Sequence, residues 1–414
     1  MWLAASHAGR KLLGWRMRIL LVGGAVRNKL LGLPVRDRDY LVLDATVEDF
    51  LKAHPAAKPV GKTFPVFIYE GEEYSFPRGQ VLEQDTEQDL EQDLALRDFT
   101  INALAQDISG DETGTLLGHP LALQDIKNRI LRPASEHSLS DDPLRAYRAA
   151  RFLAVLPGFT AHPELIADMR RTAASGALGE PFAERVGQEA LKACAGDRPG
   201  EFLRLLDQGG CLAPWFAELA QASSIPAGPP KHHDTSVLEH TAQVMDRLAG
   251  DAMAVWMALC HDLGKTLTPA AELPRHIGHE QRGEALAQAL GLRLRLPTRL
   301  VNAGADAARW HMLAARYPEL RDGTRVDLLF RLKSRGVLRE MFRLVQADKT
   351  QADKGPDQAD DHLPEAQADL DAALTAVLPP EARDQGEASG ELLRSLRIKA
   401  LRVFRAGRKP KPRA

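Results

Sequence analysis

A mixed α/β head followed by an all-α remainder is the fold class that three features of this sequence predict. The first is the run Ile19-Leu20-Leu21-Val22-Gly23-Gly24, which reads as a buried strand turning sharply at two glycines into a short helix, with Tyr40-Leu41-Val42-Leu43 as the next strand. The second is the helical apolar period that sets in beyond Asp141. The third is a proline-rich break from Ser224 to Pro230, after which histidines concentrate.

Taken in order, the chain begins with residues 1–16, where Arg10, Lys11 and Arg16 interrupt the apolar runs and exclude a signal peptide; this stretch reads as a disordered extension. Backbone N–H groups at the helix start at Gly24 can hold phosphate oxygens, and Arg27 adds a charge in the first turn. Side chains alternate along a strand, so Asp37 and Asp39 fall on one face and Arg36 and Arg38 on the other. Thr46 to Lys52 reads as a short helix, and Pro65 to Tyr69 and Glu73 to Phe76 as two strands joined at Gly71 that complete a small mixed sheet.

The near-repeat of Glu-Gln-Asp between Leu82 and Asp93 reads as a solvated helix start. Leu96 to Ala105 reads as a helix capped by Asp98, with Ile101 and Leu104 inward. Asp141-Asp142-Pro143 then opens a helix with acidic residues at its start and proline just inside. Helical patterns continue over Pro163 to Ala174, over Ala183 to Glu189 and from Gly200 onward. Gln351 to Asp361 reads as an acidic loop, Leu363 to Val377 as a helix, and Leu393 to Ala414 as a basic tail.

A chain of 414 residues is long enough for two or three domains. Its net charge of −2 gives no overall attraction for nucleic acid, so any such affinity comes from local clusters. Cys194, Cys211 and Cys260 are too few and scattered for a disulfide framework and lack zinc-ligand spacing, which fits a reducing cytoplasm. No apolar span reaches membrane length, and no motif sets an oligomeric state.

Asp37 and Asp39 supply hard oxygen ligands at a spacing that suits Mg²⁺, which can bridge a nucleoside triphosphate and lower the pKa of an attacking hydroxyl. Glycine turn, Arg27 and carboxylate pair in this order resemble the head domain of class II tRNA nucleotidyltransferases, the CCA-adding enzymes and their poly(A) polymerase relatives. That family usually has aspartate where this chain has Asn28, which removes one carboxylate beside Arg27.

Arg97-Asp98-Phe99-Thr100-Ile101-Asn102 resembles the second family motif, and the resemblance implies that Arg97, Asp98 and Asn102 arrange the sugar and triphosphate together with Gly24 and Arg27. Asp125 to Arg132 resembles the third motif and Ala183 to Glu189 the fifth, both structural. In Asp142-Pro143-Leu144-Arg145-Ala146-Tyr147-Arg148 the resemblance assigns Asp142 and Arg145 to reading the incoming base and adds Arg148 to the nucleotide-binding set. A carboxylate only accepts and a guanidinium only donates, so such a pair matches the amino group and ring nitrogen of cytosine and adenine and rejects uracil and guanine. Without the resemblance, the same two residues read as an intrahelical salt bridge.

Beyond the proline-rich break lie Lys231-His232-His233-Asp234, His240, His261-Asp262-Leu263-Gly264-Lys265, His276, His279, His311 and Asp348. His240, His261, Asp262 and Asp348 are similar to the ordered ligands of HD-family phosphohydrolases, and such mixed nitrogen and oxygen donors suit a divalent metal whose identity the sequence leaves open. That metal can deliver hydroxide to a phosphate ester, and Lys265 is placed to hold the phosphate.

The resemblance implies a nucleotidyltransferase head over 17–138, a helical neck over 139–223, an HD domain over 224–378 and a helical basic tail over 379–414. It implies a metal-dependent enzyme that adds C and A to tRNA 3′ ends from CTP and ATP without a nucleic-acid template, joined to a phosphohydrolase. The alternatives are a poly(A) polymerase, or an HD phosphohydrolase whose head only binds RNA. Between Phe76 and Arg97 the chain lacks the longer basic, glycine-containing loop of relatives that add all of CCA. Either the enzyme stops after two cytidines, or Gln80 to Gln92 refits the base pocket instead.

Overall fold

The structure, a computed structural model, describes residues 17–60, 66–77, 86–109, 114–230, 235–349 and 361–407. The extension over 1–16, the start of the Glu-Gln-Asp repeat, Lys231 to Asp234, the acidic loop up to residue 360 and the end of the basic tail lie outside the described residues. The chain divides into two compact units, Met1–Leu153 with Gly158–Pro181, and Ala154–Pro157 with Phe182–Ala414.

The first unit contains β1 (Arg18–Val22), α1 (Gly24–Leu31), β2 (Asp39–Leu43), α2 (Val47–Ala53), β3 (Lys58–Val60), β4 (Val66–Tyr69), β5 (Glu72–Ser75) and α3 (Thr86–Ala95). It continues with β6 (Leu104–Asp107), β7 (Leu116–Gly118), α4 (Ala122–Asn128), β8 (Ile130–Leu131), α5 (Ser138–Asp141), α6 (Leu144–Val155), β9 (Thr160–Ala161) and α7 (Pro163–Ser175). Seven strands form one sheet in the order β3-β4-β5-β2-β1-β6-β7, antiparallel throughout except for the parallel β2 and β5 pair.

Alternation divides this sheet into two apolar faces. Leu20, Val22, Leu41 and Leu43 pack with Leu90 and Leu94 of α3. Val42 packs on the other side with Phe50 of α2 and with Phe67. Thr46 and Asp49 close a reciprocal capping box that starts α2.

Three departures from the sequence reading bear on the site. Strands β3, β6 and β7 are short, and their three or four residues carry too little period to be recognised. The expected helix over Leu96 to Ala105 is instead a 3₁₀ turn, Thr100–Asn102, that runs into β6, because pairing with β1 at Leu20 to Val22 overrides local helix propensity. From Thr86 onward the Glu-Gln-Asp repeat does form a helix, but Asp89 and Asp93 are buried rather than solvated.

The second unit is helical: α8 (Ala183–Cys194), α9 (Gly200–Gln208), α10 (Val237–Arg247), α11 (Ala252–His261), α12 (His279–Arg293), α13 (Thr298–Ala315), α14 (Asp322–Arg335), α15 (Leu338–Lys349), α16 (Leu363–Leu374) and α17 (Glu387–Gly407). Every residue of α11 from Ala254 to His261 is buried, as expected of a helix that is apolar all round, and α10, α13 and α15 pack against it. Ser224 to Pro230 lies inside this unit, where Pro226 bridges Ser236.

In α14 the fully buried Arg325 donates to Asp369 and Glu365 of α16 and to the carbonyls of Pro318 and Leu320, while the Tyr317 hydroxyl donates to Asp369 at 3.0 Å. Removing one partner strands a buried charge, so Arg325→Met is expected to cost the helical unit about 3–5 kcal/mol, and adding Asp369→Leu to recover only part of it, because the buried Tyr317 hydroxyl then loses its acceptor. Urea unfolding of the two variants measures both effects.

Candidate active sites

In the head, the strand register brings the glycine turn and the carboxylates together. Val22 pairs with Asp39, so Asp39 lies across from the last residue before Gly23 and shares the sheet face of Leu41 and Leu43. Strand β2 begins only at Asp39; Asp37 sits in the connection before it, so strand alternation does not extend to Asp37, and both side chains are exposed. The parallel pairing of β2 and β5 adds Glu73 beside Asp39, a carboxylate that no sequence spacing pointed to. Gly23 adopts φ 68°, a left-handed conformation that favours glycine, and Gly24 begins α1.

Behind this turn lies a buried polar network. Asp98 accepts at one oxygen from the Phe99 N–H and Asn102 Nδ2, both 2.9 Å, and at the other from Arg148 Nε at 2.9 Å and Nη2 at 2.6 Å. Burial opposes the charge of Asp98, but Arg148 and Asn102 hold its carboxyl below the usual range. Asn102 in turn accepts from Arg27 Nη1 at 2.5 Å.

Asn28 accepts from Arg27 Nε and Nη2 at 3.1 and 2.8 Å, so the hydrogen bonds to that side chain are kept and only the negative charge is missing. Burial, together with Arg151 and Arg148, lowers the Arg27 guanidinium to about 10, with Asp98 acting in the opposite sense. Arg97 donates through Nε and Nη2 to Asp93 of α3.

The pair expected to read the base is set differently. Asp142 accepts from the Leu144 N–H at 3.1 Å and so caps the start of α6. Arg145 places its guanidinium on backbone carbonyls, with Nη2 to Leu96 at 2.6 Å and Nη1 to Ser138 at 3.1 Å and Arg97 at 3.3 Å. Reading a base would require Arg145 to exchange some of these acceptors for the ring nitrogen.

In the helical unit all four expected ligands converge. His240 of α10 lies 2.9 Å from Asp348 of α15 and 3.5 Å from Asp262; His261, at the end of α11, lies 3.2 Å from Asp262 and 3.7 Å from Asp348. Two further histidines complete the cluster from the far side of Asp262: His279 at 3.4 Å and His311 at 3.7 Å, with their Nε2 atoms 3.2 Å apart. His240, His261 and Asp262 form one metal-sized group, and Asp262, His279 and His311 form a second that shares the aspartate. The sequence held His279 and His311 only as part of a histidine-rich stretch, since 32 residues and a helix junction separate them.

The donor set fits a divalent metal. His261, His279 and His311 each set Nδ1 against a backbone carbonyl, of Ala258, His276 and Ala307, which places the ring proton there and turns Nε2 to the centre. Among the described residues, Asp262 Oδ1 is buried without a hydrogen-bond partner, while Oδ2 meets Lys265 and lies 3.2 Å from His261 Nε2. Lys265 is committed: its Nζ lies 2.7 Å from Asp262 and donates to the Ala227 carbonyl at 2.8 Å. Gly264 allows this turn to lie against α12, since a Cβ there would sit 1.9 Å from the His279 carbonyl oxygen.

Burial opposes the charge on Asp262 and Asp348, yet the imidazoles around them, with Lys265 for Asp262, hold both carboxyls well below the usual range. Burial alone would lower His261, but Asp262 and Asp348 raise it to about 10. Burial and His261 push His311 down to about 4.

Residues 19–132 match the poly A polymerase head domain, and residues 236–353 match the HD domain. The class is therefore a nucleotidyltransferase that carries an HD domain. The multifunctional CCA protein of Stenotrophomonas maltophilia is 39% identical over 418 residues, covering 94% of this chain and 100% of that protein. That of Methylococcus capsulatus is 39% identical over 423 residues, covering 95% and 96%. The chain belongs to the family of multifunctional CCA proteins.

Its fold is shared with the Thermotoga maritima CCA-adding enzyme complexed with tRNA, at TM-score 0.62, 18% identity and coverage of 95% of this chain and 89% of that one. The Bacillus stearothermophilus CCA-adding enzyme in complex with CTP gives TM-score 0.62, 23% identity and coverage of 93% and 89%.

Because its raised pKa keeps His261 protonated at neutral pH in the metal-free protein, ligation must expel that proton, and affinity for a divalent ion should rise with pH up to about 10. Calorimetric titration in two buffers of different ionisation enthalpy should show about one proton released per ion bound. Proton release absent at pH 7 would mean that ion binding displaces no proton from His261.

Proposed function

We propose that this chain completes the CCA end of tRNA, adding C and A to the 3′ terminus from CTP and ATP without a nucleic-acid template, and that its HD domain hydrolyses phosphate esters. The observation that carries this reading is the β1 and β2 register, which sets Asp39 beside the Gly23-Gly24 turn. The shared fold supports it: solved neighbours are described as complexes with CTP, with ATP and with tRNA. We assign residues 17–138 to the head, 139–223 to the neck, 224–378 to the HD domain and 379–414 to the basic tail. We place the site of action in the cytoplasm, in keeping with the free, buried Cys194, Cys211 and Cys260.

Asp37 and Asp39, with hard exposed oxygens, would hold Mg²⁺, which when bound neutralises triphosphate charge and lowers the pKa of the primer hydroxyl. The N–H groups at Gly24, with Arg27, Arg97 and Arg148, receive the triphosphate; Asp98 and Asn102 hold Arg148 and Arg27 in place for it. Asp142 and Arg145 would read the base, Arg145 by giving up some of its carbonyl acceptors for the ring nitrogen. The primer 3′-hydroxyl attacks the α-phosphate and pyrophosphate leaves. In the HD domain His240, His261, Asp262 and Asp348, with His279 and His311, would hold the divalent metal that supplies a nucleophilic hydroxide.

Asp37→Ala or Asp39→Ala is expected to lower nucleotide addition by about a thousandfold or more while sparing phosphohydrolysis. His261→Ala with Asp262→Ala should do the reverse. Rates of [α-³²P]CTP incorporation and of phosphate release from a model ester, measured on the same preparations, check both; an HD hydrolase whose head only binds RNA would keep full function in the first pair.

Gel resolution of products from tRNA ending before, within and after CCA, with each nucleotide offered alone and together, tests the substrate reading. The expected results are one A added to tRNA ending in CC with ATP alone and no extension past CCA. Arrest after two cytidines would instead make the short connection between β5 and α3 limiting, and long tails on unrelated RNA would indicate a poly(A) polymerase.

A further inference from the structure

The Glu-Gln-Asp repeat is the one motif of the head that the proposed chemistry leaves without a role. Its aspartates recur every four residues and so share one helix face, and in α3 that face turns inward: Asp89 is 7% exposed and Asp93 1%. Leu90 and Leu94, next to them, anchor the helix in the sheet core. A carboxylate that deep needs partners, and Asp93 takes both Nε and Nη2 of Arg97, at 3.1 and 2.9 Å, on a single oxygen.

This grip uses one edge of the guanidinium and leaves Nη1 directed at the glycine turn. The contact is close: a Cβ on Gly23 would lie 2.8 Å from Arg97 Nη1. An arginine side chain on its own loses much rotamer freedom when fixed, and here that cost is met by a charge-assisted pair formed before any nucleotide arrives. The backbone of the same turn is held as well, since the Leu96 and Arg97 carbonyls just past the C-terminal end of α3 receive Arg145.

We propose that Asp93 is a positioning residue for the nucleoside triphosphate, holding Arg97 so that its Nη1 meets a phosphate lying over the Gly23-Gly24 turn. The inference rests on the reading of Arg97 as a triphosphate ligand. Asp93 itself touches no substrate; it acts through Arg97, and α3 carries it to the right depth.

The test uses the full-length enzyme and two competitive inhibitors of CTP incorporation: tripolyphosphate, which probes the phosphate site alone, and cytidine, which probes the base site alone. Asp93→Ala should raise the inhibition constant of tripolyphosphate about tenfold, the scale of one charge-assisted hydrogen bond, and leave that of cytidine unchanged. Asp93→Asn, which keeps the shape and one acceptor, should give a smaller rise and carries the test if the alanine variant does not fold. In the Arg97→Ala background, Asp93→Ala should add nothing. Additive losses in the double variant, or equal weakening of cytidine and tripolyphosphate, would overturn the positioning role and leave Asp93 a packing residue. If Arg97→Ala alone leaves tripolyphosphate inhibition unchanged, the assignment of Arg97 as a triphosphate ligand fails and the role of Asp93 fails with it.

Discussion

Asp98 is a buried carboxylate, and four hydrogen bonds from three residues end on it. It joins the turn after α3 to Arg148 of α6, and through Asn102 it fixes Arg27 of α1. Because a buried carboxylate left short of partners is costly, these donors are not free to wander. The arginines that would surround a triphosphate are therefore arranged by the folded head before substrate binds. Aligned donors of this kind act on developing charge without reorganising at the moment of reaction.

Much of the head was legible because alternation along β1 and β2 is strict: Leu20, Val22, Leu41 and Leu43 go to one face and Val42 to the other. What escaped was decided by pairing across long sequence distances. The 3₁₀ turn at Thr100–Asn102 and strand β6 exist because β1 offers an open edge, and Glu73 reaches Asp39 through a parallel pairing with a strand 34 residues later. Polar side chains misled as well. The composition of the Glu-Gln-Asp repeat pointed to solvent, yet burial follows the helix face, and Asp93 is buried because Arg97 and the neighbouring leucines draw it in.

In the helical unit, motif order found His240, His261, Asp262 and Asp348, since adjacency at His261-Asp262 is a strong local signal. His279 and His311 needed the fold: one opens α12 and the other lies well along α13, and only the packing of those helices brings both to Asp262. The two centres solve opposite problems. In the head, exposed carboxylates leave room for a large substrate to enter and leave. In the HD cluster, burial strengthens every interaction among the imidazoles and carboxylates, a donor set that would suit a small cation.

The contact between Gly264 and α12 sets the span of that cage from main chain to main chain, with no side chain as a spacer. The backbone thereby fixes the spacing between the Asp262 turn and the start of α12, whatever side chains project from them. Such a scaffold is suited to drift in metal preference over evolutionary time, because replacing a nitrogen donor by an oxygen donor retunes hardness and charge while the distance between the two halves stays put.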